Sequence, residues 1–273
     1  RTAYGISGRF ATNKLIPEAD VILAIGTRFS MASNMGLGGG VNVQGKLIQC
    51  DIDPDEIGRN YPATVGLQTD AKLAAIALCE ALPKYNKSRE SRDTELNNLK
   101  TAQTEAMNVM DWQASMSQAI RKAVPDDAIV VSESTQVGYF IQGGGFPVYN
   151  PRTMITSGYQ GTLGYGYPTA LGVQVGNPDK VVVSVNGDGG FMYNVQELST
   201  QAEFEIPLIT LVFADGLFGN VKRIQQEKYS GHGMSTKLNN PDFAALAELF
   251  GVTGYRANTA EELFSTLTTA IEN

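Results

Sequence analysis

Short apolar runs bounded by glycine and aspartate recur along the chain. "ADVILAIG" (19–26) and "KLIQCDID" (46–53) show no strict alternation, which predicts strands buried on both faces of a parallel sheet. Between 70 and 82 the apolar positions return at helical spacing. Asp70 is placed to cap a helix whose inner stripe is Leu73, Ile76, Ala77 and Leu82, with Cys79 in its core. Residues 1–82 therefore predict one α/β domain. From 83 to 110 the composition turns polar and charged ("KYNKSRESRDTELNNLK"), the character of a linker.

Beyond it, a helix near 112–123 leads to apolar runs in "AIVVSES" (128–134), "KVVVSVNGDGG" (180–190) and "PLITLVFAD" (207–215). Strands alternating with helices predict a second α/β domain over 111–273, again with a mostly parallel sheet. Near the end, Asn240 as cap, Pro241 as first-turn proline and Gly251 as C-terminal glycine bracket a helix with Phe243, Leu246, Leu249 and Phe250 as its stripe. Thr259 and Glu262 form a capping box before Leu263, Leu267 and Ile271. The Gly-rich "MGLGGG" (35–40) lacks GxGxxG spacing after a strand and reads as a loop.

Charge and cysteine usage narrow the partners. A net charge of −7 without a dense Lys/Arg cluster argues against nucleic acid and against an anionic membrane, leaving a small molecule. Cys50 and Cys79 have neither CxxC nor Cys/His spacing, so no zinc site or disulfide framework is expected, and a reducing, cytoplasmic setting fits. No apolar run reaches 18 residues, and no signal peptide is present. The chain opens at Arg1 without a methionine, so an internal piece of a longer protein is expected.

The candidate chemistry lies in "VNGDGGFMYNVQEL" (185–198), where Asp188 stands among glycines after a strand and a helix with Val195, Leu198 and Ala202 on one face follows. In an open parallel sheet, ligands bind beyond the carboxyl ends of the strands. The N–H groups of Gly189 and Gly190 suit a phosphate there. An acid beside a phosphate repels it unless a cation lies between, so Asp188 reads as a ligand to a hard metal. Asp215 in "LVFADGLFGN", one helix and one strand later, reads as a second oxygen ligand, and Mg²⁺ fits an all-oxygen set.

The block "GDGGFMYNVQELSTQAEFEIPLITLVFADGLFGNVKRIQ" (187–225) resembles the thiamine diphosphate motif. "SGYQGTLGYGYPTALG" (157–172) resembles the preceding segment of acetolactate synthases and related 2-oxoacid decarboxylases and carboligases. "SGRFATNKLIPEADVILAIGTRFS" and "IQCDIDPDEIGRNY" resemble the later part of their central domain. The resemblance implies a fold of two Rossmann-like parallel-sheet domains: a partial central domain (1–82) and a diphosphate-binding domain (111–273) lacking its last strand. It implies Mg²⁺ held by the side chains of Asp188 and Asp215 and the backbone carbonyl of Leu217. Gly187, Gly189 and Gly190 would border the diphosphate, with Gly219 a further donor and Ser134, Thr135 and Gln136 a second diphosphate loop. Leu163 would wedge the cofactor into a bent shape, and Gly161 and Leu163 would hydrogen-bond its aminopyrimidine through their backbone. Those two are the candidate catalytic positions. The implied activity is decarboxylation and carboligation of a 2-oxoacid such as pyruvate, in a homodimer or homotetramer.

The sequence departs from this pattern in places. The usual Asn pair is Ala214–Asp215, which adds a charge that Lys222 or Arg223 could offset, although a solvated face is the plainer reading of those two. The pyrimidine-binding domain and its activating glutamate find no match here. Some relatives bind FAD, yet no residue of this chain demands it. His232, the only histidine, reads as an exposed loop residue. "GYFIQGGGFPVY" (138–149) suits either a substrate pocket or packing. Two rival readings remain: a cofactor-binding fragment that needs another chain's pyrimidine-binding domain, and a Rossmann oxidoreductase suggested by "GTLGYG" but lacking GxGxxG.

Overall fold

The computed structural model describes residues 15–29, 42–85, 90–158 and 161–273. "MGLGGG" and the first part of "SGRFATNKLIPEADVILAIGTRFS" lie outside these residues. The chain divides into two compact units, Arg1–Val109 and Met110–Asn273.

In the first unit, β1 (Val21–Ile25), β2 (Lys46–Asp51) and β3 (Val65–Gln68) pair in parallel in that order. The central strand is buried as its apolar run predicts, with Leu47 and Cys50 each 1% exposed. The expectation fails for β1, where Val21 is 52% and Leu23 46% exposed, because an edge strand of so small a sheet has one open face.

Helix α1 (Ala71–Ala81) starts where expected: the Asp70 carboxylate accepts from the N–H groups of Lys72 (2.8 Å) and Leu73 (3.1 Å). Its predicted stripe does not hold. Leu73, Ile76, Ala77, Leu82 and Cys79 are exposed, and Ala74 is the one buried residue of the helix. Among the described residues this sheet has three strands and ends in the four-residue β3, too narrow to cover a full helical stripe. The segment expected as a linker contains α2 (Asp93–Asn108), on which Leu99 is buried.

The second unit is a doubly wound sheet. After α3 (Asp111–Ala123), the strands β4 (Ile129–Ser132), β5 (Met154–Thr156), β6 (Val182–Gly187) and β7 (Ile209–Phe213) all pair in parallel, in the order β5-β4-β6-β7. The chain moves outward from β4 to β5 and then returns to β4's other side with β6. The topological switch point therefore falls between β4 and β6.

Both faces are covered. On one, α3, α4 (Gln136–Phe140) and α10 (Ala260–Glu272) bury Ile120, Val130, Val137, Val183, Leu263 and Leu267 together. On the other, α5 (Gly166–Gly176), the short turn α6 (Asp188–Phe191), α7 (Leu198–Glu203) and α9 (Phe243–Leu249) pack against Ile129, Val131 and Val182. Each such side chain contributes about 1.5–3 kcal/mol of burial, and the β-branched residues suit a strand enclosed on both sides.

Three local expectations change here. The chain after Asp188 is not one helix but the four-residue α6, a break, and then α7. The cap of α9 is Asp242, whose carboxylate accepts from Ala244 and Ala245; Asn240 has another role, and Leu249 at the helix end is 84% exposed. In "GYFIQGGGFPVY", Phe140, Ile141 and Phe146 pack inside, while Phe146 and Tyr149 flank the Arg121 guanidinium at 5.0 and 5.2 Å. The capping box of α10 forms as expected, Thr259 accepting from the Glu262 N–H at 3.1 Å.

Candidate functional site

The carboxyl ends of β4 and β6 carry an unusual load of buried polar groups. Ser132, Glu133, Ser184 and Asn186 are all 0% exposed and Asp188 is 2% exposed. Polar groups so placed are costly unless fully partnered or used, and they lie at the switch point.

The loops from three strands converge there. A Cβ on Gly187 would come within 3.2 Å of the Thr135 Cβ and 3.6 Å of the Ser134 carbonyl oxygen, so the turn after β6 rests on the loop after β4. Gly219 begins α8 (Gly219–Lys228), and a Cβ there would sit 3.6 Å from Asp215 Oδ2 and 4.0 Å from Gln136 Nε2. Gly189 has no room for a side chain, which would run into Phe218. Ser134, Thr135, Gln136, Gly187, Asp188, Gly189, Gly190, Asp215 and Gly219 thus surround one edge of the sheet.

Asp188 is tightly held. Its Oδ1 accepts from the Gly189 N–H at 2.8 Å, and its Oδ2 accepts from the Gly216 N–H and from Asn240 Nδ2, both at 2.7 Å. The loop bearing Gly216 is itself clipped to a neighbouring segment: Phe218 donates to the Thr236 carbonyl and Leu238 to the Gly216 carbonyl, both at 2.8 Å, around the Leu217–Lys237 bridge. Asp215 is exposed, and its Oδ1 accepts from the Leu217 N–H at 3.0 Å.

The Gly161–Gly166 loop approaches from β5. Leu163 stands 37% exposed on it, beside the exposed Gly161. Gly164 has a φ of 83°, and a Cβ there would lie 2.7 Å from the Tyr193 Cβ, so both conformation and space require glycine. Its carbonyl accepts from Asn194 Nδ2, and the Tyr165 hydroxyl donates to the Ser132 carbonyl. The Gly164 and Gly166 N–H groups donate to Glu133 Oε1 (2.8 Å) and Oε2 (2.9 Å). Burial raises the Glu133 carboxyl above its ordinary value, and these two hydrogen bonds oppose the shift. The sequence reading passed over Glu133, although an acid ending the apolar run "AIVVSES" carries the same signal as Asp188.

Three acids, Glu133, Asp188 and Asp215, therefore gather at one sheet edge. Among the described residues no ion pair reaches any of them. Arg223 is engaged by Glu227 at 2.8 Å, on a solvated face. His232 is an exposed loop residue whose Nδ1 lies 3.2 Å from the Tyr229 carbonyl oxygen. Among the described residues no group of three or more His, Cys, Asp or Glu could cage a metal. A cation here would take two carboxylates and complete its shell with backbone, water and ligand oxygens, which is how Mg²⁺ is commonly bound. The buried Asp188 and the exposed Asp215, with no cationic partner among the described residues and with glycines beside them, fit a metal-bridged diphosphate.

Comparison with known proteins decides the family. Residues 137–273 match the family described as "Thiamine pyrophosphate enzyme, C-terminal TPP binding domain", thiamine pyrophosphate being thiamine diphosphate under its other name. The chain belongs to the thiamine pyrophosphate enzymes. Residues 2–78 match the central domain of the same family. The chain is 33% identical over 285 residues to the probable acetolactate synthase large subunit of Methanococcus aeolicus, covering 98% of this chain and 47% of that protein. It is 33% identical over 274 residues to the acetolactate synthase large subunit of Haemophilus influenzae, covering 96% and 47%. A sulfoacetaldehyde acetyltransferase of Roseovarius nubinhibens is 30% identical over 300 residues, covering 98% and 49%. The chain spans about half the length of the curated relatives it matches. No helix among the described residues is long and apolar enough to cross a membrane.

Proposed function

We propose that this chain supplies the central and cofactor-binding domains of a thiamine diphosphate- and Mg²⁺-dependent enzyme that decarboxylates and ligates 2-oxoacids such as pyruvate, in the manner of acetolactate synthase. The observation that carries the reading is the meeting of Thr135, the Asp188–Gly190 turn, Asp215 and Gly219 at the switch point of the second sheet. When bound, the cofactor's thiazolium would supply a carbon acid whose deprotonated form is a nucleophile towards carbonyl groups, and a ring able to take up the electron pair released on decarboxylation.

The residues of this chain hold and orient. Asp188 and Asp215, with the Leu217 carbonyl, are the proposed Mg²⁺ ligands, and Asp188 is pre-aligned by its bonds from Gly216 and Asn240. Gly190 and Gly219 offer backbone N–H groups to the diphosphate, with Ser134, Thr135 and Gln136 on its other side, while the Gly189 N–H is taken by Asp188 Oδ1 and serves to orient that ligand. Leu163 and the Gly161 carbonyl are the proposed shaping groups for the rings. Glu133 does not stand in for the activating glutamate, because both its oxygens face glycine N–H groups inside the unit. That glutamate is proposed to come from a pyrimidine-binding domain outside this sequence, with the cofactor clamped between domains of a dimer or tetramer, in the cytoplasm.

A calorimetric titration of thiamine diphosphate with and without Mg²⁺, on this chain and on Asp188→Ala, tests the reading. Binding that needs both the metal and Asp188 is expected. Binding indifferent to either overturns the metal-bridged site.

A further inference from the structure

We propose that Glu133 is a positioning residue: its buried carboxylate fixes the Gly161–Gly166 loop against the Asp188–Gly190 turn, and so sets where Leu163 and the Gly161 carbonyl stand. The inference rests on the cofactor reading above for its purpose, but its geometry is independent of any ligand.

Glu133 is 0% exposed at the end of β4 and touches three segments that are far apart in sequence. Its two oxygens separately hold the N–H groups of Gly164 and Gly166, 31 and 33 residues away. The same carboxylate lies directly against Gly190, where any Cβ would collide with Oε1. One side chain therefore spans the ring-facing loop and the diphosphate-facing turn. Simple support of the fold would not need an acid, since an apolar side chain of similar volume avoids the cost of burying a carboxylate. What only the carboxylate supplies is two acceptors in a fixed fork for two backbone donors.

Asn186, on the neighbouring strand, borders the same loop at Gly166. Its Oδ1 is buried and receives no hydrogen bond, while its Nδ2 donates to Ser184 Oγ at 2.8 Å. A Cβ on Gly166 would meet both Asn186 Oδ1 and Glu133 Oε2, the latter at 2.6 Å, so the two side chains together leave room only for glycine there.

The test compares the wild-type chain with Glu133→Gln, which keeps the shape but replaces one acceptor by a donor facing a glycine N–H. In the unliganded chain, amide hydrogen exchange at Gly164 and Gly166 is expected to rise roughly tenfold or more while Val130 and Val183 stay protected. Titrations with Mg²⁺ plus thiamine diphosphate, and with Mg²⁺ plus inorganic pyrophosphate, separate the two ends of the site. Thiamine diphosphate binding is expected to weaken about tenfold or more and pyrophosphate binding less than about threefold. Unchanged exchange at Gly164 and Gly166 overturns the proposal, and equal weakening of both ligands also overturns it, because general loosening would produce that. Failure of the cofactor reading looks different: neither ligand then binds the wild type in a way that depends on Asp188, while the exchange result still decides whether Glu133 holds the loop.

Discussion

Asn240 donates from its side-chain amide to the buried carboxylate of Asp188 at 2.7 Å, linking residues 52 apart in sequence. With the Gly216 N–H, this bond fixes the direction of Oδ2. Asn240→Ala removes a hydrogen bond to a charged group and should cost about 1.5–3 kcal/mol of stability in the second unit, as measured by denaturant unfolding. Mg²⁺-dependent cofactor affinity should fall with it. Full stability in the variant would mean that the Asp188 carboxylate does not rely on this partner.

Leu163 should behave oppositely. At 37% exposure it contributes little to the core, so Leu163→Ala should shift unfolding by less than about 1 kcal/mol. If it shapes the cofactor, turnover in the assembled enzyme should drop by an order of magnitude or more, since an interaction aligned with the transition state is lost. A thermal melt beside a rate assay separates the two effects. A large loss of stability with unaltered kinetics would make Leu163 an ordinary packing residue.

Gly190 presses on Glu133, so Gly190→Ala has nowhere to place its methyl group without moving a buried carboxylate. Overpacking of this kind costs about 1–3 kcal/mol. The melting temperature should fall, whereas Gly176→Ala, which meets open space at the end of α5, should leave it nearly unchanged. Equal melting of the two variants would contradict the close approach.

The Glu133 carboxyl is held above its ordinary value, near 4.5, chiefly by burial. For an acid raised in the folded state, the folded protein binds more protons than the unfolded one within the window between the two pKa values. Its stabilising contribution is therefore full below the ordinary value and is lost as pH rises through the folded value. Subtracting the unfolding free energy of Glu133→Gln from that of the wild type at each pH should give a difference that declines from about pH 4.5 upward. A difference that rises with pH would show the carboxyl to be lowered instead.

Much of this was legible in the sequence, for physical reasons that also mark the limits. β6 could be read directly because a strand enclosed on both faces needs an unbroken apolar run, and Asp188 stood out because an acid among glycines is a local pattern. Glu133 was missed because what defines it is a pair of glycine amides more than 30 residues away. Asn240 was misread as a cap because Asn-Pro is a strong local signal, yet Asp242 two residues on takes that role and Asn240 reaches back to Asp188. The apolar pattern of α1 predicted the helix but not its burial, since periodicity says nothing about the width of the sheet beneath it. The family resemblance fared well for a related reason: cofactor motifs are local, and the loops they form sit where the sheet topology would put a ligand in any case.

The central claim is a metal-bridged diphosphate site built by Asp188 and Asp215, and the most direct measurement is calorimetry of thiamine diphosphate and Mg²⁺ binding to the wild type and to Asp215→Ala, with a pyrimidine-binding domain supplied. Asp215 is the more informative variant, because its exposed carboxylate can be removed without opening the interior. Binding that requires Mg²⁺ and weakens about tenfold or more in Asp215→Ala is the predicted result. Metal-independent binding, equal affinity in the variant, or no binding at millimolar cofactor would contradict it.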